Sequence, residues 1–235
     1  MFRVYTPENC SLNTTLVLSN ESSQHILKVL RHQIGDSITL FNGQGGEYKG
    51  LITDIQKKNA IIELTEFFDI SRESPCAIHL FHGMARGEKM DWIIQKATEL
   101  GVQEFTPLKT EKCQVKLTGE RAEKRLEHWQ RIIIHSSEQC GRNQLMKLNP
   151  ILECKTAMEQ QDSSVQIICE PSWPDALPIA SIEKPISLFI GGESGFSPQE
   201  LVWAKARQIH SCSLGPRILR TETAAIVAVT RLQYR

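Results

Sequence analysis

The spacing of apolar and polar positions changes once along the chain, near residue 75. Before it come short apolar or β-branched runs at 2–5, 15–19, 37–41, 48–55 and 60–68. Turn signals separate the later ones: Gly35-Asp36, Asn42-Gly43-Gln44-Gly45-Gly46 and Lys57-Lys58-Asn59. Strands this short at this spacing predict a small β-barrel. One helix interrupts them at 22–31, with Ser22 or Ser23 as its cap and Ile26, Leu27 and Leu30 on one face. Residues 70–75 are polar, end in Pro75 and read as a linker. Beyond the linker, strands at 77–82, 104–108 and 165–169 alternate with helices at 89–100 and 118–139. The first helix carries a stripe of Ile93, Ile94, Ala97 and Leu100 and stops at Gly101; the second turns Leu126, Trp129 and Ile133 inward. Such alternation predicts an α/β domain. A proline-rich connector spans 171–185.

The last fifty residues repeat one pattern. Ile186–Ile190 is an apolar strand that runs into Gly191-Gly192-Glu193-Ser194-Gly195-Phe196. Ser197-Pro198-Gln199-Glu200 then reads as a helix start, with Ser197 as cap, Pro198 at the first helical position and Glu200 reaching back. A second strand at 210–214 reaches Gly215-Pro216 and Arg217-Ile218-Leu219-Arg220, and an apolar helix begins at Thr221-Glu222. Two glycine turns at the carboxyl ends of strands are where open α/β sheets hold small ligands, and glycine lets backbone groups approach them. The same turns serve packing alone in many α/β proteins. Neither turn is Gly-x-Gly-x-x-Gly, and no Gly-Lys-Ser/Thr follows, which disfavours an NTP-cradling loop.

Composition narrows the class. Lys plus Arg balance Asp plus Glu at 27 each, so bulk charge does not mark an RNA binder. Residues 84–147 are mildly basic, and Arg121, Lys124, Arg125, His128, Arg131 and His135 fall near one face of the long helix, interleaved with Glu120, Glu123 and Glu127. Either a phosphate-facing stripe or a solvated face has this pattern. The seven cysteines never form C-x-x-C, which points to reduced thiols in a cytoplasm and to no metal site. His79 and His82 have strand spacing and read as structural. No apolar run reaches a membrane span, and no signal peptide is evident at the start.

Residues 190–200 (Ile-Gly-Gly-Glu-Ser-Gly-Phe-Ser-Pro-Gln-Glu) and 214–225 (Leu-Gly-Pro-Arg-Ile-Leu-Arg-Thr-Glu-Thr-Ala-Ala) together resemble the ribosomal RNA small-subunit methyltransferase E family, of the SPOUT class. The second stretch is the more specific. In the first, Gly192 stands where the family usually has Pro and Ser194 where it has Gly. Glu138-Gln139-Cys140-Gly141-Arg142 is similar to the family's Glu-Gln-x-Gly-Arg. The resemblance implies a PUA-like RNA-binding β-barrel over 1–70. It implies a SPOUT α/β methyltransferase domain over 76–235, with a C-terminal trefoil knot. S-adenosyl-L-methionine would then be held by Ile190, Gly191, Gly192, Glu193 and Gly195 of the first turn, and by Leu214, Gly215, Ile218, Leu219 and Arg220 of the second. RNA contacts would come from Arg3, His25, Arg31, Arg86, Lys89, Gln139 and Arg142. The implied reaction is methylation of a uridine N3 in 16S rRNA of the small ribosomal subunit, by a cytoplasmic homodimer.

A sulfonium donor is already electrophilic, so the protein's task is to align donor and acceptor. The uridine N3 must lose a proton, which a base or a nearby cation assists. Arg220 is the candidate for positioning or anion stabilisation; Glu222 and Glu193 are candidate proton acceptors. A first-turn carboxylate such as Glu222 also favours the helix dipole, with no catalytic role. The competing function is a non-catalytic RNA-binding ribosome-assembly factor whose glycine turns are structural.

Overall fold

The computed structural model describes residues 3–115, 117–160, 165–173 and 185–233. Phe2, expected to open the first strand, and residues 174–184 of the proline-rich connector lie outside them. The chain forms two units: Met1–Glu73 with Ile134–Leu145, and Ser74–Ile133 with Met146–Arg235.

In the first unit, β1 (Arg3–Tyr5), β2 (Thr15–Val17), β3 (Ser37–Phe41), β4 (Glu47–Gln56) and β5 (Asn59–Phe68) form one mixed sheet in the order β1-β3-β4-β5-β2. β1 is parallel to β3; the other pairings are antiparallel. The β4–β5 hairpin turns at Lys57 and Lys58, both left-handed at φ 47° and 80°, the two-residue geometry that matches strand twist. The β4–β5 register shifts at Lys49/Gly50 and Ile52/Asp54, and such bulges bend a sheet. Gly50 sits in the bend, because a Cβ there would lie 2.4 Å from both Ile62 and Leu40. Leu40, Ile52, Ile62 and Leu64 fill the core behind it.

The helix α1 (Asn20–Gln24) starts two residues earlier than its pattern predicts. Ser19 is the cap, accepting from Ser22 N at 3.1 Å. Ser23 is buried instead, where its hydroxyl donates to Leu18 O and accepts from Ala60 N at 3.0 Å. A serine hydroxyl that ties helix to sheet has no signature of its own in the sequence. α1 widens into a π-helical turn, His25–Val29, and Arg31 leaves it at φ 60°.

In the second unit, β6 (Ile78–Gly83), β7 (Glu104–Lys109), β8 (Lys147–Leu148), β9 (Leu152–Glu153), β10 (Val165–Cys169), β11 (Ile186–Ile190) and β12 (His210–Cys212) make a sheet in the order β12-β10-β11-β6-β7-β8, with β9 also on β7. All of these pairings are parallel. The helices are α2 (Lys89–Glu99), α3 (Glu120–Cys140), α4 (Cys154–Glu159), α5 (Pro198–Ala206) and α6 (Thr221–Gln233); α3 from Ile134 onward counts with the first unit. β11 is buried along its whole length, as a parallel strand covered on both faces must be. Phe189 stacks on Phe81 at 4.6 Å and packs among Ala157, Met158 and Ala204 of α4 and α5. α6 packs against β11 and α2. β8, β9 and α4 are too short to leave a periodic signal, and the sequence reading passes over them.

Residues Ile134–Leu145 complete the first unit. Glu138 accepts from Tyr5 N at 2.9 Å, and Arg142 grips Glu73 through Nε at 3.0 Å and through Nη2. Both side chains of that pair are buried, at 4% and 9% exposure. Removing one partner of a buried pair strands the other charge. Arg142→Ala is therefore expected to lower unfolding free energy by roughly 3–5 kcal/mol, and the double change Arg142→Met with Glu73→Leu to restore most of it. Chemical denaturation reads both; a single variant as stable as the parent would refute the pairing.

Candidate functional site

A parallel sheet puts all its carboxyl ends on one edge. There β10, β11, β12 and the start of α6 enclose a cavity of about 280 Å³. From the β11 turn, Ile190, Gly191, Gly192, Glu193 and Gly195 line it. From the β12 turn, Leu214, Gly215, Ile218, Leu219 and Arg220 line it, with Glu222 behind them. Every residue that the resemblance assigned to the cofactor thus lines one space. Gly195 and Gly215 adopt φ 63° and 106° and have open space where a Cβ would stand. The first turn is pinned downstream by the expected capping box: Glu200 N donates to Ser197 Oγ at 3.0 Å and Ser197 N to Glu200 Oε2 at 2.6 Å. Glu200 is fully buried, and its other oxygen accepts from Glu111 N at 3.0 Å.

The second turn is tied to the first by Thr221. Its hydroxyl reaches the Gly191 carbonyl and lies 3.3 Å from His82 Nε2. His82 Nδ1 sits 2.7 Å from the Gly83 carbonyl, which can only accept, so Nδ1 carries the proton. The Thr221 proton then has two acceptors in reach. Burial of the ring pulls His82 from 6.5 down to about 4, against the raising influence of the Gly83 and Thr221 hydrogen bonds and of the Glu222 charge. The structural reading of His82 holds, though its place directly under the site was not legible. His79 is held by Thr106 at 2.7 Å and stacks on Phe81.

The three candidate catalytic side chains differ in setting. Glu193 is exposed, pairs with Lys89 and accepts from Arg86 N at 3.4 Å. The Lys89 hydrogen bond holds its carboxyl below the usual range. Glu222 is half-buried, and its Oε2 is shielded from solvent without a hydrogen-bond partner among the described residues. Arg220 is exposed at the rim, with its carbonyl accepting from Ala224 N at 2.8 Å.

An RNA methyltransferase domain model matches residues 72–233, and an RNA methyltransferase PUA domain model matches 18–65. The ribosomal RNA small subunit methyltransferase E of Buchnera aphidicola (subsp. Acyrthosiphon pisum) is 35% identical over 98% of this chain and 92% of its own. The chain belongs to the ribosomal RNA small subunit methyltransferase E family. The Bacillus subtilis member is 30% identical over 94% of this chain and 90% of its own. A Neisseria gonorrhoeae member, crystallised with S-adenosyl methionine, superposes with TM-score 0.92 at 35% identity, covering 99% of this chain and 97% of that one. A Legionella pneumophila protein solved with the same cofactor gives TM-score 0.93 at 37% identity, covering 99% and 96%.

The residues this family resemblance assigned to RNA are placed unevenly. In the first unit His25, Arg31 and Gln139 are exposed. Arg3 lies over the Phe41 ring, bonded to Glu47 through one nitrogen, with Nε and Nη2 buried and without a partner among the described residues. Arg142 departs from expectation: its guanidinium is buried on Glu73 and fixes a loop instead of facing a phosphate. In the second unit Arg86 is exposed, and Lys89 reaches the cavity wall through Glu193. Much of the basic stripe on α3 is neutralised locally, His128 and Arg125 by Asp91 and Lys124 by Glu120. The sequence reading missed the third wall, Cys169, Glu170 and Pro171 at the end of β10, together with Cys212 and Phe196. The strand before Glu170-Pro171 was legible; that β10 lies between β11 and β12 was not.

His82 gives the second unit a pH signature. Its folded pKa is below its unfolded one, so the unfolded chain takes up the proton first as pH falls. Stability is full above about 6.5 and drops by roughly 3 kcal/mol towards pH 4. Denaturant unfolding at successive pH values is expected to show this loss in the parent and a flatter profile for His82→Gln; parallel profiles would rule it out.

Proposed function

We propose that this chain is the methyltransferase that moves a methyl group from S-adenosyl-L-methionine to N3 of a uridine in 16S rRNA of the small ribosomal subunit. The single observation that carries the reading is the joint lining of one cavity by both glycine turns in a member of this family. The residues fit the donor. Two glycine turns offer backbone groups for a purine edge. Glu222 Oε2, without a partner among the described residues, offers an acceptor oxygen to a cationic ligand. When bound, the cofactor supplies a methyl group already activated by its sulfonium.

The chain's own part is alignment and charge. Leu214, Gly215 and Leu219 would bracket the adenosyl group. Arg220, exposed at the rim, would meet the uracil as its N3 proton leaves and steady the developing anion. Glu222 is the better proton acceptor of the two carboxylates, because Lys89 holds Glu193 ionised and weakens it as a base. Glu193 would instead fix the first turn. Arg3, His25, Arg31, Arg86, Lys89 and Gln139 remain the RNA-facing candidates.

We read the first unit as a closed PUA-like barrel, supported by the β-bulges in β4 and β5, and the C-terminal stretch as a trefoil knot. Supporting the knot is the return of Thr221 to the Gly191 carbonyl, made one strand and one helix earlier. We also read the protein as a cytoplasmic homodimer. None of its seven cysteines is in a disulfide, and no helix among the described residues is long and apolar enough to cross a membrane. Ile218, 87% exposed beside the cavity, supports a partner surface. A fully active monomer by light scattering would dismiss the dimer.

Mass mapping of 16S rRNA after incubation with the protein and labelled cofactor tests the reading as a whole. A methylated uridine is expected; cofactor binding without transfer would favour an assembly factor. Arg220→Ala is expected to lower turnover roughly a hundredfold, as loss of an anion-stabilising donor does, while cofactor affinity by calorimetry changes much less. Unchanged turnover would remove the role.

A further inference from the structure

Two of the seven cysteines stand opposite each other at the cavity wall. β10 and β12 are parallel neighbours, and their register pairs Cys169 with Cys212, the last residue of each strand. In-register residues on adjacent strands project to the same face. Both line the cavity, and both are free thiols. Adjacent strands lie about 4.8 Å apart, within the roughly 4.4–6.8 Å between Cα atoms that a disulfide spans. The nearby Cys169 sulfur, with the Arg231 charge, holds the Cys212 thiol below the usual thiol range, while the Cys212 Sγ–H points to Ser213 O at 3.8 Å. The same proximity, with burial, pushes Cys169 well up. Of the two, Cys212 is the more readily ionised, and the thiolate is the nucleophile.

We propose that Cys169 and Cys212 form an oxidisable dithiol that reports whether the cofactor cavity is filled and closes it to cofactor when oxidised. The second half rests on the cofactor reading above. The oxidant is a small organic disulfide entering the open cavity. The Cys212 thiolate attacks one of its sulfurs and expels the first thiolate, leaving a mixed disulfide. Cys169, having given its proton to solvent, attacks the Cys212 sulfur and expels the second thiolate. The protein loses two hydrogens, and the small disulfide becomes two thiols. The new bond draws together the ends of β10 and β12, and with them the approach to Leu214 and Gly215. Bound cofactor covers both sulfurs and slows the first attack.

The test uses the full chain and bis(2-hydroxyethyl) disulfide. After alkylation and non-reducing digestion, mass spectrometry is expected to find Cys169 and Cys212 peptides cross-linked. Saturation with S-adenosyl-L-methionine beforehand is expected to slow that cross-link. Calorimetry on oxidised protein is expected to show cofactor affinity at least about tenfold weaker, restored by dithiothreitol. Cys212→Ser, compared with and without oxidant, is expected to form no cross-link and keep its own affinity. Absence of the cross-link while other cysteines are modified overturns the proposal, as does a cross-linked protein that binds cofactor as before. Untreated protein that binds no cofactor would defeat the cofactor reading and the gating together, yet leave the cross-link readable by mass alone.

Discussion

The second unit depends on a meeting of backbones in which no side chain fits. Where β6 and β11 leave the sheet side by side, a Cβ on Gly83 would come within 2.2 Å of Gly192 N, and a Cβ on Gly191 within 2.9 Å of the Gly195 Cα. Real Cβ atoms do not approach that closely, so glycine on both strands is a packing requirement before it is anything else. That proximity lets Thr221 bond Gly191 and stand beside His82 at once. The first residue of α6 is thereby tied to two strands, and Arg220 and Glu222 on either side of it acquire defined places. Geometry at the rim is a consequence of crowding at the base.

Charge is distributed to match. Glu200 spends both oxygens inside the protein, accepting from Ser197 N and Glu111 N and so fixing the start of α5. Glu193 is neutralised at the surface by Lys89. Glu222 alone of these three keeps a shielded oxygen without a partner among the described residues. Three carboxylates on neighbouring turns are thus a cap, a strut and an unspent acceptor, and only their surroundings tell them apart.

What the chain made legible follows length and regularity. β10 and β11 have the bounds their apolar runs predict, and the Ser197 capping box is as its spacing demands. The two glycine turns were recognisable as a pair because local chemistry marks each. Their convergence was expected only through the family resemblance, since it depends on β10 inserting between β11 and β12, a choice of strand order that no local pattern encodes. The same limit hid Cys169, Glu170 and the place of His82, whose neighbours come from distant segments. The burial of Arg142 was hidden for a related reason: a motif match shows that an arginine is present, while its direction is set by Glu73, far away in sequence.

The first unit is discontinuous along the chain, and this bears on how the protein is made. Its sheet is encoded before Glu73, yet Glu138 and Arg142, which satisfy Tyr5 N and Glu73, are translated only after much of the second unit has begun. Translation delivers residues at about 5–20 per second, so the nascent amino-terminal sheet must wait for seconds with Glu73 lacking its arginine partner. The order of emergence from the ribosome therefore sets a delay on the completion of the very part that is read as gripping ribosomal RNA.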